Sequence, residues 1–286
     1  MHFSQIVAAL GACVLVSAAP TTNPPEYTAE LEKRSSIASA AEFSELQRAA
    51  QLSSAAYTGC LGTAFDVIIT QQINDVLTNT QGFVGYSTSK KRITVVMRGS
   101  TTVTDILNDI DTVLVTPSLS GVNFPSGVQI MTGVYTPWKA VHDSVISAVK
   151  SLVAKYPDYT LESTGHSLGG SLTYMSYIAL AQNFPGKFLT SNALAAFPIG
   201  NAAFAAFGTA QTGLLRRGTN ALDGVPNMYP FYTHFGTEFY GSGTAATTLK
   251  CTGERDLTCS AGNGLTGVTT GHFQSFGVSL GFTGCS

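Results

Sequence analysis

Apolar residues recur along this chain at two spacings, one typical of helices and the other typical of strands. Residues 39–57 carry Phe43, Leu46 and Ala50 at helical spacing, so we expect the fold to begin with a helix. Residues 136–156 predict a longer amphipathic helix that ends at Tyr156-Pro157, since a residue before proline avoids helical backbone angles. Its predicted buried face consists of Trp138, Val141, Val145, Ala148, Val149 and Leu152.

Shorter apolar runs between polar turns predict the strands. These runs are residues 65–70, 82–87, 92–97, 159–164, 189–197 and 214–219. Further helices are expected over residues 170–183 and 202–208. Because strands and helices alternate, the pattern predicts an α/β fold with a mostly parallel central sheet that is flanked by helices. No repeat or linker interrupts residues 35–286, so we expect one domain there.

The N-terminus has the features of a processed secretory leader. Residues 6–16 are apolar but too short to cross a bilayer, and Val16-Ser17-Ala18 has the small residues of a cleavage site. We therefore interpret residues 1–18 as a signal peptide. Residues 19–34 end in the dibasic pair Lys33-Arg34, which indicates a short pro-segment. The rest of the chain has no apolar stretch of membrane length, so we expect a secreted protein without a transmembrane segment.

The amino-acid composition argues against two classes of binding partner. Charged residues make up 11 % of the chain and the formal net charge is −2. A chain with so little positive charge is a poor match for nucleic acid or for an anionic membrane, and neither is expected as a partner. The hydrophobic content of 44 % fits a single large core.

Four cysteines remain after the predicted leader, namely Cys60, Cys251, Cys259 and Cys285. An even number in a secreted chain indicates two disulfides, and three pairings are open. Cys251 and Cys259 enclose a short polar loop, so we expect them to pair, which leaves Cys60 to join Cys285 near the C-terminus. No histidine lies at ligand spacing beside these cysteines, so we expect no metal site.

The most specific motif is Gly165-His166-Ser167-Leu168-Gly169, between a predicted strand and a predicted helix. In this G-x-S-x-G context a sharp turn exposes the serine hydroxyl, which makes Ser167 the candidate nucleophile. The N–H of Leu168 then lies at a helix N-terminus, where partial positive charge can stabilise an oxyanion.

A nucleophilic serine needs a histidine base, and the base needs a carboxylate that fixes its tautomer. His272, in a glycine-bounded loop near the C-terminus, is the preferred base because it follows the serine in the chain. His234 also follows Ser167 but lies in an aromatic stretch, so we interpret it as structural. We expect His142 to be a partly exposed helix residue and the side chain of His166 to point away from that of Ser167.

Asp223 is the preferred acid because it follows a predicted strand and precedes a turn. Glu238 and Asp256 are the alternatives, and both are expected to be surface charges. Ser100 follows the strand at residues 92–97 and can supply the second oxyanion donor through its N–H and hydroxyl, although an ordinary turn has the same local pattern.

Residues 102–111 form the last candidate feature. An apolar stripe with helical spacing runs through Val103, Ile106, Leu107 and Ile110. One interpretation is a lid that covers the serine in water and turns outward at a lipid–water interface. The other is an ordinary surface helix.

With these motifs in order, the chain resembles the secreted fungal class 3 lipases, which have the α/β-hydrolase fold. The resemblance rests on residues 97–100, 156–159, 164–170, 199–201, 223–226 and 271–273. It implies Ser167, Asp223 and His272 as the triad, with Ser100 and Leu168 as the oxyanion hole. The chain also resembles feruloyl esterases of the same fold, partly through residues 251–254. Two departures bear on substrate preference: the lid has no tryptophan, and Ala196-Phe197-Pro198 replaces the family's Glu-Pro-Arg.

The leading hypothesis is therefore a monomeric serine ester hydrolase that cleaves acylglycerols without a cofactor. A feruloyl esterase or a lipase selective for mono- and diacylglycerols is the alternative with the same chemistry. A secreted binding protein that kept the fold is the alternative from another class.

Overall fold

The computed structural model describes residues 35–101, 110–281 and 284–285. The predicted signal peptide and pro-segment lie outside these residues, and so do Val103, Ile106 and Leu107 of the predicted lid. Ile110 is described: it is half-buried and packs against the core beside Gly133.

Most strands of the described residues belong to one ten-stranded sheet. The strands in chain order are β1 (Ser35–Ile37), β2 (Thr63–Ala64), β3 (Val67–Asp75), β4 (Thr80–Ser87), β5 (Arg92–Met97), β6 (Leu114–Val115), β7 (Ile130–Met131), β8 (Thr160–His166), β9 (Leu189–Leu194), β10 (Leu214–Asn220), β11 (Thr237–Gly241), β12 (Thr248–Cys251), β13 (Gln274–Ser275) and β14 (Val278–Ser279). The pairs β6–β7 and β13–β14 form two small separate sheets.

The large sheet has a parallel centre and antiparallel edges. Its order is β1-β12-β11-β10-β9-β8-β5-β4-β3-β2, and neighbouring strands from β5 through β8, β9 and β10 to β11 run parallel. The α/β fold expected from the alternation of elements is confirmed. The carboxyl ends of the parallel strands meet at one edge, where loops of such sheets carry binding and catalytic residues.

Helices cover both faces of the sheet. They are α1 (Ala40–Thr58), α2 (Thr132–Lys155), α3 (Leu168–Asn183) and α4 (Ala202–Thr209). α1 begins with a capping box between Ser39 and Glu42 and ends at Gly59, whose φ of 77° suits a residue without a side chain. None of the helices in the described ranges is long and apolar enough to cross a membrane.

Alternate side chains of β5 show which helices pack on each face of the large sheet. Val95 and Met97 are buried in the large core cluster that also contains Trp138 of α2 and Leu172 of α3. Val96, which points the other way, packs in a second cluster with residues of α1. Strand periodicity therefore places α1 on one face, opposite α2 and α3.

Two disulfides link segments at the periphery of the fold. The structure joins Cys60 to Cys285 across 225 positions of sequence, and Cys251 to Cys259 across 8. Beside the first bridge, the N–H of Phe65 donates to the carbonyl of Cys285 at 2.9 Å. This bridge fastens the loop after α1 to the C-terminal segment.

Three residues expected to be exposed are buried, so those expectations were wrong. His142 is 1 % exposed and lies edge-on to Trp138. Glu238 is 1 % exposed, with one carboxylate oxygen 3.7 Å from the Arg217 guanidinium. Asp256 is 2 % exposed and accepts hydrogen bonds from the loop around it. In the two carboxylates, nearby donors or positive charge compensate for the loss of water.

Candidate active site

The G-x-S-x-G segment forms a strained turn between β8 and α3. Ser167 has φ 61° and ψ −126°, a conformation that residues with a side chain rarely adopt. The glycines allow the turn to pack tightly. A Cβ on Gly165 would lie 2.3 Å from the carbonyl oxygen of Gly169, and one on Gly169 would lie 2.2 Å from that of Met97. The turn that contains Ser167 is thus packed tightly between the end of β5 and the start of α3.

The two candidate oxyanion donors come from neighbouring strand ends. Leu168 is the first residue of α3, so its N–H has no acceptor within the helix. Met97 at the end of β5 is paired in register with Gly165 of β8, and Ser100 follows three positions later. Ser100 is 5 % exposed. The parallel register therefore brings the Ser100 loop to the edge of the sheet where Ser167 lies.

His272 and Asp223 form a hydrogen-bonded pair although 49 positions separate them in the chain. Nδ1 of His272 lies 3.0 Å from Oδ2 of Asp223, and both side chains are completely buried. The N–H of Val225 donates to Oδ1 of Asp223 at 3.0 Å and fixes the carboxylate. Because Nδ1 faces a carboxylate, the tautomer of the neutral ring that fits has its proton on Nδ1 and a lone pair on Nε2.

Backbone packing between two loops brings this pair together. A Cβ on Gly271 would lie 2.5 Å from the carbonyl carbon of Leu222, so the loop before His272 lies directly on the loop before Asp223. The hydroxyl of Thr269 donates to the carbonyl of Leu222. A bridge between Gly224 and Gly267 extends the contact.

The two atoms proposed for nucleophilic attack are both without a hydrogen-bond partner. Among the described residues, neither Oγ of Ser167 nor Nε2 of His272 has one, although both atoms are buried. Neither atom is therefore engaged by another described residue, in contrast to Nδ1 of His272, which is hydrogen-bonded to Asp223. A serine hydroxyl beside an imidazole lone pair can be deprotonated as it attacks a carbonyl carbon.

Two further histidines, His234 and His166, have hydrogen-bond partners on both ring nitrogens. Nδ1 of His234 lies 3.0 Å from the hydroxyl of Tyr174, and Nε2 lies 2.8 Å from the carbonyl of Pro226. Burial holds the pKa of His234 well below its ordinary value, which keeps the ring neutral. His234 therefore acts as a structural residue.

His166 has the same kind of arrangement. Nδ1 lies 3.0 Å from the hydroxyl of Tyr57, and Nε2 lies 2.7 Å from the carbonyl of His272. Burial, together with the nearby His272 ring, holds the pKa of His166 well below its ordinary value. Tyr57 is the site residue that the sequence did not reveal. It lies on α1, 109 positions from His166, and no local pattern distinguishes it from other helix residues.

A cavity of about 300 Å³ opens beside these groups. Its lining includes Tyr57, Ser100, His166, Phe273 and Leu280. The cavity thus adjoins the candidate oxyanion donor Ser100 and has apolar side chains to receive the non-reacting part of an ester.

One cluster of described residues brings potential metal ligands close together, namely Glu238, Cys251 and Cys259. Its two sulfur atoms are joined in a disulfide, so they are not available as thiolate ligands.

Comparison with known proteins places this arrangement in a family. The family model of lipases (class 3) matches residues 94–233. A secreted alkaline triacylglycerol lipase from Penicillium cyclopium is 64 % identical over 259 residues, which are 89 % of this chain and 90 % of that protein. A crystal structure of a triacylglycerol lipase from Penicillium expansum is 63 % identical, with a TM-score of 0.86, and the match covers 87 % of this chain and 99 % of that one. The triacylglyceride lipase of Rhizomucor miehei is 25 % identical, with a TM-score of 0.77 and coverage of 87 % and 99 %. The chain belongs to the class 3 lipases and is an ester hydrolase with an α/β-hydrolase fold.

Proposed function

We propose that this extracellular enzyme hydrolyses fatty acyl esters of glycerol, with Ser167 as nucleophile, His272 as base and Asp223 as the residue that orients the base. The observation that carries this proposal is the buried His272–Asp223 pair, whose Nε2 is unpaired and whose backbone is contacted by His166, the residue before Ser167. The strained backbone of Ser167 supports it, because strain of this kind persists where the fold holds a reacting group in place.

The reaction runs in two halves. Oγ of Ser167 attacks the ester carbonyl carbon while Nε2 of His272 takes its proton, and the C–O bond to the alcohol breaks as the proton passes to the leaving alkoxide. Water then attacks the acyl-enzyme, giving its proton to His272, and the fatty acid leaves as Ser167 regains a proton. Asp223 stabilises the imidazolium in both halves, because its carboxylate contacts Nδ1 at 3.0 Å.

The oxyanion of each tetrahedral intermediate needs donors that are in place beforehand. We propose the N–H of Leu168, at the start of α3, and the N–H and hydroxyl of Ser100. Donors fixed by the backbone require no reorganisation when charge develops, which is why such groups contribute strongly to catalysis.

The choice of an acylglycerol substrate rests on the relatives and on the cavity. The relatives at 64 % and 63 % identity are triacylglycerol lipases. A relative at 30 % identity is a mono- and diacylglycerol lipase from Penicillium cyclopium, so the number of acyl groups accepted needs its own measurement. Apolar residues such as Phe273 and Leu280 in the cavity suit an aliphatic chain.

A substrate panel tests the proposal. We expect hydrolysis of triolein and tributyrin to exceed that of monoolein and methyl ferulate, and Ser167→Ala to abolish all of these activities. Methyl ferulate as the best substrate would identify a feruloyl esterase. Activity that survives in Ser167→Ala would contradict the catalytic assignment itself.

The lid remains a proposal from the sequence pattern. If Ile106 and Leu107 face lipid when the site opens, replacing both with Ser should lower hydrolysis of emulsified triolein more than hydrolysis of dissolved tributyrin. The ratio of the two activities corrects for losses in expression. An unchanged ratio would mean that the segment is an ordinary surface helix.

A further inference from the structure

We infer that Tyr57 and His166 are a pair of positioning residues that join the oxyanion loop, the serine turn and the catalytic histidine into one rigid unit. The inference rests on the proposed function, since it concerns residues that act through the proposed triad and oxyanion hole.

The hydrogen bonds around His166 determine where its proton lies. Nε2 faces the carbonyl oxygen of His272 at 2.7 Å, and a carbonyl only accepts, so Nε2 carries the proton. Burial keeps the ring neutral, so Nδ1 holds a lone pair and must accept from the hydroxyl of Tyr57 at 3.0 Å. One tautomer of His166 therefore satisfies both contacts.

The hydroxyl of Tyr57 also contacts the oxyanion loop. Its oxygen lies directly against the backbone of Gly99, the residue before Ser100. A Cβ on Gly99 would lie 2.0 Å from that oxygen, so only a glycine lets the hydroxyl approach so closely. A chain of contacts thus runs from Gly99, packed against Tyr57, through the hydrogen bonds of Tyr57 to His166 and of His166 to the backbone of His272.

This chain of contacts links the oxyanion loop, the serine turn and the base. It begins beside Ser100, passes through the residue that precedes Ser167, and ends on the base. The ring centroids of His166 and His272 lie 4.6 Å apart, so His166 also limits the movement of the catalytic imidazole directly. A displacement of reacting groups by about 1 Å can lower the rate about a hundredfold.

Tyr57 is itself well anchored. Three positions beyond it, Cys60 is bridged to Cys285, and the N–H of Gly281 donates to the hydroxyl of Ser54 one turn before it. Earlier in α1, Arg48 makes buried ion pairs with Glu162 of β8. The end of α1 is therefore fixed to both the sheet and the C-terminal segment, as a positioning role requires.

The test is the kinetics of Tyr57→Phe on dissolved p-nitrophenyl butyrate. We expect kcat to fall about tenfold while KM stays within about a factor of two, because the lost contacts align reacting groups without touching substrate. Active sites are counted by covalent labelling with a phosphonate ester, so kcat is expressed per folded site. Tyr177→Phe is the matched control, since it removes a buried hydroxyl that donates to the carbonyl of Gln211, and it should leave kcat unchanged.

A second variant keeps the proposal testable if Tyr57→Phe folds poorly. His166→Gln can keep an N–H near the His272 carbonyl but has no acceptor at the position of Nδ1, where Tyr57 donates, so kcat should fall by a similar factor. Because the two residues act in series, the double variant should be hardly worse than His166→Gln alone.

Three results would overturn the inference: unchanged kcat in Tyr57→Phe, an equal loss in Tyr177→Phe, or multiplied losses in the double variant. Ser167→Ala is run in the same assay. If it stays active, the proposed function fails; if it is inactive while Tyr57→Phe matches wild type, only the positioning role fails.

Discussion

The two disulfides should contribute unequally to stability, because they close loops of very different length. Cross-linking removes conformations from the unfolded chain, and the loss grows with the logarithm of loop length. For Cys60–Cys285, a separation of 225 positions corresponds to about 5 kcal/mol. For Cys251–Cys259, a separation of 8 positions corresponds to about 2.5 kcal/mol.

Two double variants measure this difference, Cys60→Ser with Cys285→Ser and Cys251→Ser with Cys259→Ser. Urea unfolding at pH 7 can be followed by fluorescence of Trp138, which is the only tryptophan and is fully buried. The first variant should lose about 2–3 kcal/mol more free energy of unfolding than the second. Each serves as the control for the other, because both replace one pair of bridged sulfur atoms with hydroxyls.

Equal losses in the two variants would refute the reasoning from loop length, and a larger loss in the Cys251/Cys259 variant would reverse it. In either case local packing around the sulfur atoms, rather than the unfolded chain, would determine the stability that the bridges provide.

Two further predictions concern the site and its histidines. Asp223→Asn should lower kcat about ten-thousandfold without changing Tm greatly, because an amide no longer stabilises the productive tautomer of His272; hydrolysis of p-nitrophenyl butyrate within tenfold of wild type would contradict this role. Burial lowers the pKa of both His166 and His234 well below the ordinary 6.5, so the unfolded chain binds more protons than the folded one as acidity increases. The free energy of unfolding should therefore be highest above pH 6.5 and fall by up to about 1.4 kcal/mol per pH unit for each histidine below it. Urea unfolding measured at several pH values from 7.5 to 5.5 gives this pH dependence, and His234→Gln should remove the contribution of His234 to it. A free energy of unfolding that does not change with pH in the wild-type protein would show that neither histidine is held neutral.

The parallel centre of the fold could be predicted from the sequence because short segments with apolar residues at strand spacing alternate with helical segments. β5, β8, β9 and β10 all correspond to predicted segments, with ends that differ by a few residues. β11 could not be predicted in this way. Its residues include Glu238, a charged residue that is nevertheless buried, with its carboxylate 3.7 Å from Arg217 of the adjacent strand.

The candidate triad could be proposed from the sequence because its signals are local or follow chain order. Ser167 is marked by its glycines, and His272 and Asp223 by their positions after it. The supporting contacts have no such signal. Tyr57 and His166 meet only when α1 packs against β8, and a helical tyrosine carries no mark of a partner 109 positions away. His142 was similarly misjudged, because the burial of a helix face depends on what packs against it.

The most direct test of the proposed catalytic centre is covalent labelling by a p-nitrophenyl alkylphosphonate, whose phosphorus is attacked as an ester carbonyl would be. Mass spectrometry of the digested protein should find one label per chain, on Ser167. Labelling should parallel the loss of lipase activity, and it should be greatly slowed in His272→Ala. A label on another residue, or full lipase activity after Ser167 is completely labelled, would contradict the assignment.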